Sequence, residues 1–134
     1  MASESAAYFS SLEYRFLPPF TCGYQIQIQA RAVDELVWTR LNLKGGREYE
    51  NRRTLTAADS RLLRSLLSDI RVQASAGGTP LLDVVMHRLT IAMGVLEQLA
   101  LQWGPEVPSE WKGVEKLILF IEQIATPLTD GRYS

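Results

Sequence analysis

From Tyr24 to Arg31 the chain alternates without a break: Tyr24, Ile26, Ile28 and Ala30 against Gln25, Gln27, Gln29 and Arg31. At a period of two, this places an apolar row on one side of an extended backbone and a glutamine row on the other. A helix would scatter both sets around its circumference. The fold must therefore contain a strand that is covered on one face and wettable on the other, which is the signature of an antiparallel sheet.

After Val33-Asp34 the pattern resumes. Val37, Thr39, Leu41 and Leu43 form one row, and Leu36, Trp38, Arg40 and Asn42 the other. A few turn-compatible residues separate the two runs, so they pair as a hairpin. Lys44-Gly45-Gly46 supplies the next turn, and Glu48 to Leu55 reads as a third, more polar strand nearer an edge. Upstream, Leu12 to Leu17 fits either a short edge strand or a helical turn, and Pro18-Pro19 interrupts the chain after it.

Thr56 has the chemistry of a helix N-cap, with Asp59 three residues on. Leu62, Leu63, Leu66, Leu67 and Ile70 then recur at helical spacing, which predicts an amphipathic helix of about four turns. The Gly/Ser segment from Gln73 to Pro80 ends it. At the other end of the chain, Val114, Leu117, Ile118, Ile121, Ile124 and Ala125 form the inward stripe of a second helix, with Ser109 as its cap and Pro127 as its stop.

Between the helices lies an ambiguous stretch, Leu81 to Trp103. As one helix, its apolar positions make a broad stripe behind a Thr79-Pro80 start. As two strands, Leu89, Ile91 and Met93 alternate with Arg88, Thr90 and Ala92, and Leu99, Leu101 and Trp103 with Gln98, Ala100 and Gln102, with Gly94 at the reversal. The strands are favoured. The β-branched residues Val84, Val85, Thr90, Ile91 and Val95 suit a pleated surface, and the Gln98/Gln102 face repeats the style of the first glutamine row. The expected fold is thus α+β: an antiparallel sheet of about five strands with two amphipathic helices packed on one face, in ββ(β)α–ββα order.

A chain of 134 residues is enough for one domain with a self-sufficient core. We expect a flexible N-terminal segment over 1–11, a single α+β domain over 12–127 and a polar tail over 128–134. Cys22 is the only thiol, which rules out an intramolecular disulfide and a multi-cysteine zinc site and fits a reducing cytoplasm. The N-terminus has no basic segment followed by an apolar run, and no apolar stretch approaches the roughly 20 residues that cross a bilayer, so a cytoplasmic protein without a membrane partner is expected.

Candidate chemistry is sparse. His87, the only histidine, is read as a structural side chain at a strand end, and Cys22 as a small buried hydrophobe. The carboxylates are scattered, and the Gly45-Gly46 and Gly77-Gly78 pairs lack the spacing of a phosphate-binding loop. No catalytic, cofactor-binding or metal-binding residue is assigned, and no cofactor is expected. Two surfaces stand out instead. Trp38 and Arg40, beside the row of Gln25, Gln27 and Gln29, make a candidate partner surface, because Trp and Arg often dominate interfaces. Residues 40–71 hold eight basic against four acidic side chains, and Arg52, Arg53, Arg61, Arg64 and Arg71 form a candidate anion-binding ridge. The first surface predicts a non-enzymatic module that binds another protein, or a second copy of itself, through an open sheet face or a strand edge. The second predicts a nucleic-acid or anionic-surface binder.

Overall fold

The computed structural model describes residues 9–18, 22–42, 46–72, 86–93, 98–104 and 106–129. In chain order these form β1 (Ser11–Leu17), β2 (Tyr24–Gln29), β3 (Glu35–Leu41), β4 (Arg47–Thr54), α1 (Ala57–Ser68), β5 (Met86–Ala92), β6 (Gln98–Trp103) and α2 (Val114–Thr129). The reversal at Gly94, the turn at Lys44-Gly45, the Gly/Ser segment before Pro80, and residues 1–8 and 130–134 lie outside the described residues.

All strand pairs are antiparallel, and the sheet runs β4-β3-β2-β1-β5-β6. The first four strands form a meander. The chain then returns through α1 and adds β5 on the free side of β1. The fold is α+β, with six strands where about five were expected. The sixth is β1, which lies in the middle of the sheet between β2 and β5 rather than at an edge. Its own alternation explains this: Leu12 and Tyr14 are buried opposite Ile28 and Ile26 on one side and Ile91 and Leu89 on the other. β5 and β6 pair in register from His87↔Trp103 to Ala92↔Gln98, so the hairpin expectation holds and a helix across this stretch is excluded.

Residues opposite one another in a sheet project from the same face. Leu12, Tyr14, Ile26, Ile28, Leu36, Trp38, Leu89, Ile91, Leu101 and Trp103 therefore share one side, and there they join Leu63 and Leu67 of α1 and the inner stripe of α2 in a single core. All six positions predicted for that stripe, from Val114 to Ala125, are buried. On α1 the inward stripe is narrower than its spacing implies: Leu63 and Leu67 are buried, whereas Leu62 is 47% exposed.

The helix ends are set by specific bonds. Thr56 caps α1, its hydroxyl accepting the Asp59 amide at 3.0 Å. α2 begins at Val114, five residues after the expected cap Ser109, because Lys112 first pairs with Arg71 in an isolated antiparallel bridge and Gly113 then turns the chain with φ of 82°. At its far end α2 runs through Pro127 to Thr129. A proline so near the terminus forfeits little of the helical ladder, and β4 supplies side-chain donors to two carbonyls near that end. Arg53 donates to the Ile124 carbonyl at 2.8 Å and Asn51 to that of Leu128 at 3.0 Å. Of the segment expected to be flexible over 1–11, residues 9–11 are described and belong to the fold. Phe9 is buried in the core, and the Ser10 amide donates to the Ala92 carbonyl at 2.8 Å.

Candidate functional site

The two surfaces read from the sequence are not brought together as expected. Ile26 faces Trp38 and Tyr24 faces Arg40 across the β2–β3 pair, so Trp38 and Arg40 lie on the helix side and Gln25, Gln27 and Gln29 on the other. Trp38 is only 5% exposed and belongs to the core. The cause is register: a strand shifted by one residue exchanges its faces, and the 30–34 connection sets the shift. The glutamine face is polar and internally paired. Arg15 donates to Gln25 at 2.8 Å and lies 3.1 Å from Glu13, Arg31 donates to Gln29 at 2.5 Å, and Arg52 bridges Glu50 and Glu35.

The arginine ridge disperses in the same way. Arg52 and Arg53 project from opposite sides of β4. Arg53 serves the end of α2 and lies 3.7 Å from Asp59. Arg64 turns inward and grips the carboxylate of Asp34 with both terminal nitrogens, at 2.5 and 3.1 Å, while its guanidinium lies 4.9 Å from the centre of the Phe9 ring. Arg71 folds back onto the Ser68 and Ile70 carbonyls. Arg61 remains exposed. The five guanidinium groups therefore do not line one ridge.

What the fold does assemble is an aromatic end on the helix side. Tyr14 and Phe16 from β1, Tyr24 from β2, Trp38 from β3, His87 from β5 and Trp103 from β6 lie in successive ring contacts. The His87 imidazole stacks on the Trp103 indole with centroids 5.3 Å apart and planes 5° from parallel. A polar thread runs through these rings. Tyr24 donates to the Glu122 carboxylate of α2, the Tyr14 and Tyr24 rings meet edge to face with centroids 6.2 Å apart, and the Tyr14 hydroxyl meets His87 Nδ1 at 2.7 Å. Burial is the main reason both phenols are held well above their ordinary range, with the Glu122 charge adding to it. Burial also lowers the pKa of His87. The strand alternation places Tyr24 and His87 each in an apolar row, whereas Tyr14 lies on a stretch that fits either a strand or a helical turn. Nothing local pointed to Glu122, which reaches them only because α2 packs across β2 and β3.

Two clefts open beside this thread. One, of about 300 Å³, is lined by Tyr24, Ile26, Trp38, Glu122, Ala125 and Thr126. The other, of about 270 Å³, is lined by Cys22, Gly23, Tyr24, Trp38 and Arg40. Gly23 is required there, since a Cβ would lie 2.1 Å from the Phe16 carbonyl oxygen. Among the described residues no group of three or more His, Cys, Asp or Glu side chains could hold a metal ion, and no helix is long and apolar enough to cross a membrane.

The lowered His87 pKa has a testable consequence. As pH falls below the ordinary histidine value of about 6.5, the unfolded chain takes up a proton that the folded imidazole refuses. Stability should therefore decline from there down to the folded-state pKa. Urea midpoints measured at stepped pH should show this slope, and His87→Asn, whose amide oxygen can stand where Nδ1 does and accept from the Tyr14 hydroxyl, should flatten it. An unchanged slope in the variant would assign it to other groups.

No protein family matches the chain, and neither curated proteins nor solved structures yield a match.

Proposed function

We propose that this chain is a non-enzymatic association module that pairs through the edge of β6, which among the described residues has no strand beyond it, with the same edge of a second copy. The observation that carries this reading is the contrast between the two ends of the sheet. β4 is armoured with Arg47, Glu48, Glu50, Arg52 and Arg53, the kind of charge that keeps an edge strand from recruiting another. β6, with the sequence QLALQW, carries no charge and no proline. Its first five residues also read the same in both directions. An antiparallel pairing about a two-fold axis at Ala100 sets Gln98 of one copy opposite Gln102 of the other and Leu99 opposite Leu101. Glutamines then meet on the polar face and leucines beside the helix layer, as a self-complementary interface requires. The open sheet face is a weaker candidate, because its charges already pair with one another.

Sedimentation equilibrium from about 1 to 200 μM, the range spanned by modest association energies, should give a monomer–dimer equilibrium. Gln98, Ala100 and Gln102 are all exposed, so Q98K/A100K/Q102K should leave the thermal melt close to that of the native chain. It sets like charges against each other across the axis and should leave only monomer. A native chain that stays monomeric throughout, or a triple variant that still dimerises, would sink the proposal.

A further inference from the structure

We infer that the cleft between α2 and the β2–β3 pair binds a compact organic monocation of the alkylammonium or quaternary ammonium class. This rests on side chains remote from β6 and is independent of the edge pairing. The walls are the rings of Tyr24 and Trp38, with centroids 6.1 Å apart and planes within 23°. Ile26 and Ala125 add apolar surface, and Glu122 brings a carboxylate to the rim. Ring faces carry negative quadrupole potential, and a cation beside them gains most where water is partly excluded. A carboxylate at the same place deepens that potential.

The hydroxyls of the cleft decide the sign of the ligand. Tyr24 gives its proton to the Glu122 carboxylate, and Thr126 gives its own to the Glu122 main-chain carbonyl at 2.9 Å. Both hydroxyls are directed at Glu122, and an anion would also confront the carboxylate charge. A cation with apolar substituents meets neither obstacle, and it needs no hydrogen bond from the site. Arg40, 3.5 Å from Glu48, stands on the other side of the shared Tyr24–Trp38 wall in the neighbouring cleft. Its charge limits the site to a single positive group. The chemistry required is thus one diffuse positive charge surrounded by methyl or methylene groups, on a molecule small enough for about 300 Å³.

The test uses tetramethylammonium and choline chlorides as probes, with sodium chloride and sodium acetate as controls. Binding is read from the Trp38 indole N–H resonance in ¹H–¹⁵N spectra of the full chain. A saturable shift with either ammonium salt, absent with both sodium salts, is the expected result. Glu122→Gln preserves an acceptor for the Tyr24 hydroxyl while removing the charge, and it should weaken binding by about tenfold, the scale of one favourable charge interaction in a partly desolvated site. Linear, non-saturating shifts, an equal response to acetate, or undiminished affinity in a folded Glu122→Gln chain would each overturn the assignment. Should that variant fail to fold, the ammonium-against-acetate comparison on the native chain decides alone.

Discussion

Arg64→Met is expected to cost the domain about 3 kcal/mol, on the order of 10 °C in Tm for a chain of this length, whereas Arg61→Met should cost almost nothing. The two arginines sit three residues apart on α1, and their environments differ completely. Asp34 is 3% exposed, and its carboxylate is held by both terminal nitrogens of Arg64. Removing the guanidinium strands a buried charge, which is the costly way to break an ion pair, and it also removes the contact with Phe9. The figure is at the lower end of what buried pairs lose, because the Arg64 side chain is 29% exposed and water can partly replace it. Arg61 is exposed, and surface substitutions of that kind stay within about 0.5 kcal/mol. Urea denaturation of both variants measures the difference. The double variant Asp34→Asn/Arg64→Met should recover part of the loss, since it no longer buries an unpaired charge. There is also a pH signature. The Arg64 hydrogen bonds hold the Asp34 carboxyl below its ordinary value, so the pair's contribution is complete above the usual carboxylate pKa and fades as pH falls through the native one. Arg64→Met should lose that acid-range component. Equal costs at 61 and 64 would show that Arg64 is no more anchored than its neighbour, and would return it to the anion-binding ridge.

Arg64 also illustrates where sequence pattern stops being informative. Helical spacing placed it beside Arg61 and Arg71 on an outer ridge, but an arginine has the reach to turn towards a carboxylate thirty positions earlier in the chain. Strand alternation was more reliable, since a period of two survives any tertiary arrangement. It located β2, β3, β5 and β6, and the inner stripe of α2 followed from its 3.6-residue spacing. Alternation alone could not say which row of β3 joins which row of β2. That depends on a single residue of register, and it moved Trp38 from a supposed contact surface to the core. β1 was ambiguous in isolation because its place at the centre of the sheet is created by β5, which arrives more than seventy positions later. The aromatic end was partly legible: Tyr24 and His87 lie on strands whose phase could be read, Tyr14 lies on a stretch that fitted a strand or a helical turn, and Glu122 belongs to a helix whose crossing position no local pattern encodes. The unarmoured edge of β6, by contrast, is written directly in QLALQ and needed only the strand order to acquire meaning.

Gly113→Ala should be among the most damaging single-methyl additions to this chain, at about 3 kcal/mol, with Gly104→Ala nearly silent. Two separate penalties act at Gly113. Its φ of 82° lies in the left-handed region that side chains disfavour. A Cβ there would also lie 2.8 Å from the Asp69 carbonyl oxygen and 3.1 Å from its carbon, which are backbone atoms at the C-cap of α1 that cannot swing aside as a flexible side chain would. Relief requires the two backbones to separate. That strains the adjacent bridge in which the Arg71 amide donates to Lys112 at 2.9 Å and the Lys112 amide to Arg71 at 2.7 Å. The position thus fixes how the end of α1 meets the start of α2, and with it the placement of Leu117 and Ile121 against the sheet. At Gly104 no atom lies within 4 Å of the added methyl group. Thermal melts of the two variants make the comparison. In Gly113→Ala the amides of Arg71 and Lys112 should also exchange with deuterium faster than in the native chain, because their mutual bonds are the first to be strained. A Gly113→Ala chain as stable as Gly104→Ala would mean that the two helix ends are not held together at this crossing.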